Sequence, residues 1–202
     1  MVERQLRARG IADERVLAAM GEVPREQFVD EGLARRAYAD SALPLAAEQT
    51  ISQPWVVAAI CAGLELRGDE RVLEIGTGSG YSAAVLARLA SSVLTIERIP
   101  ELAELARRNL EGNDRIEIRI GDGSLGAPDA APFDAIAVHA AAPSPPPSLI
   151  DQLSPGGRLV VPVTEGRADV LKTFTRTDSR LIERVIAPCR FVPLVGEEGF
   201  KR

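Results

Sequence analysis

Two kinds of hydrophobic pattern alternate along this chain from residue 70 onward. Short, nearly continuous apolar runs fall at 71–75, 92–97, 133–138 and 158–163, and a further strand-like stretch lies at 115–120. Such runs read as strands buried on both faces. Between them lie longer stretches, 79–90 and 100–111, that read as helices. In the second, Leu102, Leu105, Ala106 and Leu110 form one apolar face, and Pro100 suits an early helical position. A short helix over 145–153 leads into a turn at Ser154-Pro155-Gly156-Gly157. Alternating β and α units predict a mostly parallel α/β sheet with helices on both faces, a three-layer sandwich. The segment 164–202 changes pattern: 170–177, a turn at Asp178-Ser179 and the run from 180 predict an antiparallel β-ribbon.

The first 69 residues follow another logic. Residues 2–20 predict helix, interrupted near Gly10-Ile11, with Asp13 as the N-cap of 14–20. Val23-Pro24-Arg25 opens a short turn, and Phe28 is expected to pack. Residues 38–53 carry Pro44, end before Pro54 and show little periodicity. A long ordered loop in a compact domain is usually functional. Pro54 suits the first turn of a helix whose apolar residues run over 55–64. No linker or repeat divides the chain, and the prolines of 143–147 span too short a stretch to do so. One domain is expected: N-terminal helices and loop at 1–69, a βα core at 70–163, and the ribbon at 164–202.

The candidate chemistry gathers where the predicted strands end. The run Val72-Leu73-Glu74-Ile75-Gly76-Thr77-Gly78-Ser79-Gly80 reads as a strand entering a tight glycine turn before a helix. Glycine permits positive φ and close approach of a ligand. Neither familiar phosphate motif fits. Counting from Gly76, the sixth residue is Tyr81 rather than the glycine of a dinucleotide fingerprint, and no Gly-Lys-Ser/Thr follows. No basic residue lies between 72 and 87, so a cofactor without phosphates fits better, and S-adenosylmethionine (SAM) is one. A dinucleotide, or a turn needed only for packing, remains the alternative. The run 92–97 ends in Glu97 about twenty residues on, where a carboxylate would accept from ribose hydroxyls. Asp122, in Gly121-Asp122-Gly123, follows the next strand and would accept from an adenine amine; an ordinary Asp-Gly turn is the plain alternative.

Composition removes other classes. The 202 residues carry a formal charge of −5 with both signs interspersed, and no basic stripe suited to nucleic acid is visible. No apolar run approaches membrane-spanning length, and residues 1–10 lack the apolar stretch of a secretory signal. Cys61 and Cys189 cannot build a metal cluster and read as reduced, packed thiols of a cytoplasmic protein. His139 is the one histidine, so no metal site is expected.

Read together, Glu74, the glycine turn, Glu97 and Asp122 resemble the Rossmann-like SAM-dependent methyltransferases. Further strings narrow the resemblance to the protein-L-isoaspartate O-methyltransferases, nearly end to end. They are Arg9-Gly10-Ile11, Val23-Pro24-Arg25-Glu26-Gln27-Phe28-Val29, Ala37-Tyr38-Ala39-Asp40 with Leu43-Pro44, and Gln49-Thr50-Ile51-Ser52-Gln53-Pro54. Ala131-Pro132-Phe133-Asp134-Ala135-Ile136, Gln152-Leu153 with Pro155-Gly156-Gly157-Arg158-Leu159, and Arg190-Phe191-Val192-Pro193-Leu194 complete it. The resemblance implies methyl transfer from SAM, leaving S-adenosyl-L-homocysteine, to isoaspartyl carboxylates in damaged proteins or peptides. It gives Ser52 the active-site role and places Gln49, Thr50, Ile51 and Ser52 along the cofactor and the acceptor carboxylate. Glu74, Gly76, Thr77 and Gly78 would lie on the methionine and ribose side, Glu97 at the ribose, Asp122 and Gly123 at adenine, and Arg98 elsewhere along the cofactor. Val192, Pro193 and Leu194 would offer backbone groups to the bound peptide. Neither a metal nor a nucleic-acid or membrane partner is implied, and a monomer is expected.

Three departures fall near the expected acceptor mouth. Ala46-Ala47-Glu48-Gln49 stands where the family often has Gly-x-Gly-Gln; Arg167-Ala168-Asp169 stands where a glutamine is usual; Val195-Gly196 follows Leu194 where threonine or glycine is usual. They leave a different acceptor open, such as aspartate in a modified peptide or a small acid. A carboxylate is already ionised at neutral pH and needs no general base. Ser52 is therefore expected to position the acceptor. By sequence position alone it would suit a helix cap before Pro54. A triad of Ser52, His139 and Asp40 lacks the G-x-S-x-G elbow, and a non-catalytic SAM-binding protein fits poorly with Ser52 and the full glycine turn in place.

Overall fold

The computed structural model describes residues 1–201. Its first element departs from expectation. Val2–Leu6 is a π-helical turn and Arg7–Arg9 a 3₁₀ turn, closed by Gly10 at φ 92°. Only Leu6 is fully buried there; Met1 and Val2 pack partly against the same core, and Gln5 and Arg9 bond to Tyr38 and Asp40. Helix α1, Glu14–Glu22, starts as expected: the Asp13 carboxylate accepts from the amides of Arg15 and Val16.

The loop 38–53 is less irregular than its sequence suggests. Strands β1 (Leu43–Pro44) and β2 (Thr50–Ile51) pair antiparallel as a small hairpin. Helix α2, Pro54–Leu64, follows, with Pro54 in its first turn. The βα core then runs β3 (Arg71–Ile75), α3 (Tyr81–Leu89), β4 (Ser92–Glu97), α4 (Pro100–Asn109), β5 (Ile116–Ile120), β6 (Phe133–Val138) and α5 (Pro147–Asp151). It ends in β7 (Leu153–Glu165), β8 (Ala168–Arg176) and β9 (Leu181–Cys189).

Seven strands form one sheet in the order β5-β4-β3-β6-β7-β8-β9. The pairs from β5 through β7 are parallel, and β7-β8 and β8-β9 are antiparallel. The ribbon thus extends the main sheet. The expected turn at 154–157 is a bulge inside β7: its register on β6 steps from Phe133↔Leu153 to Ala135↔Arg158.

Side-chain alternation sends the sheet's apolar residues into two cores. Val72, Val93 and Ala135 meet α1, α2 and α3 on one face. Leu73, Ile75, Leu94, Ile96 and Val138 point to the other, which is covered more thinly, by Leu149 of α5 and the C-terminal Leu194. The chain leaves β3 toward β4 and β5, then returns to β6 on the other side of β3. That reversal opens a crevice at the carboxyl ends of β3 and β6, where open α/β sheets bind ligands. No helix among the described residues is long and apolar enough to cross a membrane.

Candidate active site

The glycine turn closes over the end of β3. Gly76, Gly78 and Gly80 have φ of 90°, 55° and 89°, values that favour glycine. This delays the start of α3 to Tyr81, two residues later than the periodicity predicts. Beyond Gly76 the turn meets β6: a Cβ there would stand 3.4 Å from that of His139. The Gly76 amide donates to the Ile96 carbonyl, and that of Gly80 to Thr77.

Glu97, at the end of β4, holds this turn. One carboxylate oxygen accepts from the Gly78 amide at 2.9 Å, the other from the Ile99 amide at 2.9 Å. Each oxygen keeps a further lone pair. The side chain is buried yet faces the crevice, so ribose hydroxyls are natural donors to it.

Beneath the turn lies a polar chain in an apolar setting. Thr77 and Thr95 share a hydrogen bond of 2.6 Å, and Thr95 donates to Glu74 Oε2 at 2.6 Å. Glu74 is fully buried, and its Oε1 has no hydrogen-bond partner. His139 Nε2 lies 3.4 Å from that oxygen and 2.7 Å from Ser82 Oγ. Burial pushes the Glu74 carboxyl up to about 7, against the hydrogen bond from Thr95. Burial drives His139 down to about 4, so its ring is neutral at pH 7.

A cleft of about 840 Å³, open mouth included, joins this turn to the loop before α2. Gln49, Thr50, Ile51 and Ser52 line one side. Gly76, Thr77, Gly78, Glu97, Arg98 and Gly123 line the other, and Val192, Pro193 and Leu194 complete the rim. Glu74 and Asp122 stand outside the lining. Asp122 instead accepts from the Ser124 amide, the Ser124 hydroxyl and the Glu197 amide. Burial works against ionisation there, but these hydrogen bonds hold its carboxyl below the usual range.

Ser52 is not a helix cap. Gln53 occupies the cap position of α2, with no side-chain cap bond, and Ser52 lines the cleft. No triad assembles: the His139 ring nitrogen meets Ser82, and Asp40 binds Arg9 and Gln53. The peptide-binding expectation for 192–194 becomes narrower. The Val192 carbonyl and the Leu194 amide are bonded to Ala141, and the Leu194 carbonyl accepts from Phe200. The Val192 amide and the Pro193 carbonyl have no intramolecular partner among the described residues.

Sequence reading missed several lining residues. Ile99, at the N-cap of α4, and Leu102 form an apolar wall with Ile75 and Ile96; helical spacing marks Leu102 only as part of a core face, and Ile99 carries no signal. Ser82, Tyr81 and Leu45 also line the cleft; none carries a signal of its own in the sequence. No group of three or more metal-ligating side chains stands among the described residues.

The residues fit a nucleoside cofactor without phosphates. The cleft combines a glycine turn open to close approach, a carboxylate with spare lone pairs, an apolar slot and one basic residue, Arg98. Fold and site together define a Rossmann-like SAM-dependent methyltransferase. Comparisons with known proteins carry the assignment further. The family model described as protein-L-isoaspartate(D-aspartate) O-methyltransferase matches residues 1–199, and the chain belongs to that family. A protein-L-isoaspartate O-methyltransferase 2 from Marinobacter nauticus is 55% identical over 204 residues, covering 99% of this chain and 93% of that one. A protein-L-isoaspartate O-methyltransferase from Methanoculleus marisnigri is 51% identical over 203 residues, covering 100% and 92%. A solved protein-L-isoaspartate O-methyltransferase superposes with a TM-score of 0.86 at 31% identity, over 98% of this chain and 67% of that one. A Plasmodium falciparum structure in complex with S-adenosyl-L-homocysteine shares the fold, with a TM-score of 0.84 at 24% identity over 96% of both chains.

Proposed function

We propose that this chain methylates the carboxylate of L-isoaspartyl residues in damaged proteins or peptides, using SAM, as the first step of their repair. One observation carries the reading: a single cleft joins the glycine turn and Glu97 to Ser52 and the 192–194 rim. Bound SAM supplies an electrophilic methyl on a positively charged sulfur.

The protein's own part is to hold and align. Glu97 holds the glycine turn and accepts from the ribose. The Ser52 hydroxyl donates to one acceptor carboxylate oxygen and leaves the other free to attack. The free Val192 amide and Pro193 carbonyl receive the peptide backbone. No proton has to be removed from an ionised acceptor, which suits a site whose one histidine is buried and neutral. Orientation of held reactants accounts for about 7–11 kcal/mol in favourable cases. The protein works as a single domain in the cytoplasm, as a monomer, with isoaspartyl proteins as its partners and no nucleic acid, membrane or metal.

Matched isoaspartyl and aspartyl peptides with labelled SAM test this directly. Methyl incorporation is expected in the isoaspartyl peptide alone; equal labelling, or label only in the aspartyl peptide, defeats the acceptor assignment. Ser52→Ala should keep S-adenosyl-L-homocysteine affinity within a few-fold while turnover falls roughly 10–100-fold. Unchanged turnover removes Ser52 from the mechanism.

A further inference from the structure

Arg25 has no part in the reading above, yet its placement is costly. Its side chain is fully buried, and no carboxylate pairs with it among the described residues. Buried charge without a counter-ion is strongly disfavoured, and here burial lowers the guanidinium pKa. Such a cost persists where the group does something a neutral residue would not.

Its partners show what that is. Arg25 Nε donates to the Ala37 carbonyl at 2.7 Å, and Nη2 donates to the Ser52 carbonyl at 2.6 Å. Those two carbonyls flank the loop that begins after Ala37 and delivers Ser52 to the cleft. One planar fork therefore clasps both ends of that loop. The same guanidinium sits 4.7 Å from the centroid of Tyr81, the first residue of α3 and a wall of the cleft. Its remaining nitrogen, Nη1, is buried without a partner.

We propose that Arg25 is a positioning residue for methyl transfer: it closes the 38–51 loop and sets Ser52 against the glycine turn through Tyr81. This rests on the acceptor-holding role given to Ser52. The alternative is a fastener that only keeps the N-terminal segment folded onto the core. The two differ in what they move. A fastener affects stability and the folded fraction. A positioning clasp affects turnover per folded molecule and does so through Ser52.

Lysine keeps the charge but not the fork, because its single nitrogen cannot reproduce two parallel donors in a fixed plane. Arg25→Lys is expected to lower kcat for an isoaspartyl peptide roughly 10–100-fold, while S-adenosyl-L-homocysteine binds stoichiometrically with its Kd within about twofold of wild type. Calorimetry supplies both the Kd and the folded fraction. Arg25→Gln, which leaves no buried charge, should show the same pattern and replaces the lysine variant if that chain does not fold. In a cycle with Ser52→Ala, the double variant should be no slower than about threefold below the worse single variant, since residues acting as a unit are not additive. Wild-type kcat in the Arg25 variants overturns the proposal. So do single effects that multiply in the double variant, or a Kd that rises in step with the fall in kcat. If Ser52→Ala is silent while Arg25→Lys is slow, the Ser52 role falls and this inference falls with it. If Ser52→Ala is slow and both Arg25 variants are normal, the inference falls alone.

Discussion

The two walls of the cleft are built in opposite ways. The cofactor wall consists of the ends of β3 and β4 with the turn between β3 and α3, and nearly all of it is core. Glu74, Thr95 and Thr77 are buried and joined in a hydrogen-bonded chain, and buried Glu97 accepts from the Gly78 and Ile99 amides. The acceptor wall is the 38–53 loop: Ala46, Ala47, Glu48 and Thr50 are exposed, and the two-residue hairpin supplies its only ladder. A cofactor common to many reactions is held by buried strand ends and a hydrogen-bonded turn. The acceptor is met by a surface segment whose order depends on a few anchors, Arg25 foremost. Cofactor binding should therefore be fragile to single changes on the first wall, whereas the second should be adjustable everywhere except at Ser52 and at Arg25, which anchors it.

The largest effect is expected on the cofactor wall. Glu97→Ala removes acceptors for the Gly78 and Ile99 amides as well as for the ribose. Hydrogen bonds to charged groups are worth about 1.5–3 kcal/mol each, so S-adenosyl-L-homocysteine should bind roughly 100-fold more weakly in calorimetry. Wild-type affinity would mean that Glu97 only shapes the turn and that the wall tolerates its loss.

The contrast between the walls also explains what could be read in advance. The strands of the core, the glycine turn and Glu97 were legible because burial on both faces writes continuous apolar runs, and turns with positive φ demand glycine. The cap at Asp13 was legible for a similarly local reason. The hairpin at 43–51 was not, because two-residue strands leave no periodicity and its turn contains no glycine. The bulge at 154–157 looked like a terminating turn, since Pro155, Gly156 and Gly157 carry the same signal in either setting. Arg25 was visible only as part of a string. Nothing local reveals that its partners, Ala37 and Ser52, lie 12 and 27 residues away. Glu74 and Asp122 were placed at the ligand by their positions after or within strands; neither side chain lines the cleft, Glu74 lying bonded to Thr95 beneath the turn and Asp122 accepting from the Glu197 amide of the C-terminal segment.

The pair beneath the turn offers an intermediate effect, read through pH. Glu74 has a folded pKa raised to about 7 from an ordinary 4.5. Between these values the folded chain keeps a proton that the unfolded chain has lost. Its contribution is fully present below 4.5 and is lost as pH rises through 7. His139 has a folded pKa lowered to about 4 from 6.5. Its contribution is present above 6.5 and is lost as pH falls toward 4. Across the shared window the two slopes oppose, each up to about 1.4 kcal/mol per pH unit, and wild-type stability should be nearly flat. Glu74→Gln should leave stability rising with pH between 4 and 6.5, and His139→Gln should leave it falling between 4.5 and 7. Urea unfolding across a pH series measures both. Parallel, flat profiles in wild type and both variants would show that neither group titrates as its burial requires.

The smallest effect belongs to the acceptor wall, and its sign is opposite: a change there should stabilise. The hairpin turn runs through Ala47 and Glu48, with φ of 54° and 59°, and the Leu45 amide donates to the Gln49 carbonyl across it at 2.8 Å. Two consecutive left-handed residues make the turn type that favours Asn-Gly. For residues with a Cβ, that region costs about 1–2 kcal/mol each. Strain held at a functional rim is offset by surrounding structure. Here the offset comes from Leu45 above Gly78, where a Cβ on the glycine would lie 3.7 Å from Leu45 Cδ1, and from the clasp on Ser52. The paired substitution Ala47→Asn with Glu48→Gly should relieve the strain, less the extra freedom glycine gives the unfolded chain. A net gain of about 1 kcal/mol raises Tm by roughly 2–4 °C in a chain of this size. If the acceptor wall is adjustable, the gain should come with S-adenosyl-L-homocysteine affinity unchanged and only the KM for peptide altered. A lowered Tm would place the two residues outside the strained region, and a changed cofactor affinity would show that the walls are mechanically one.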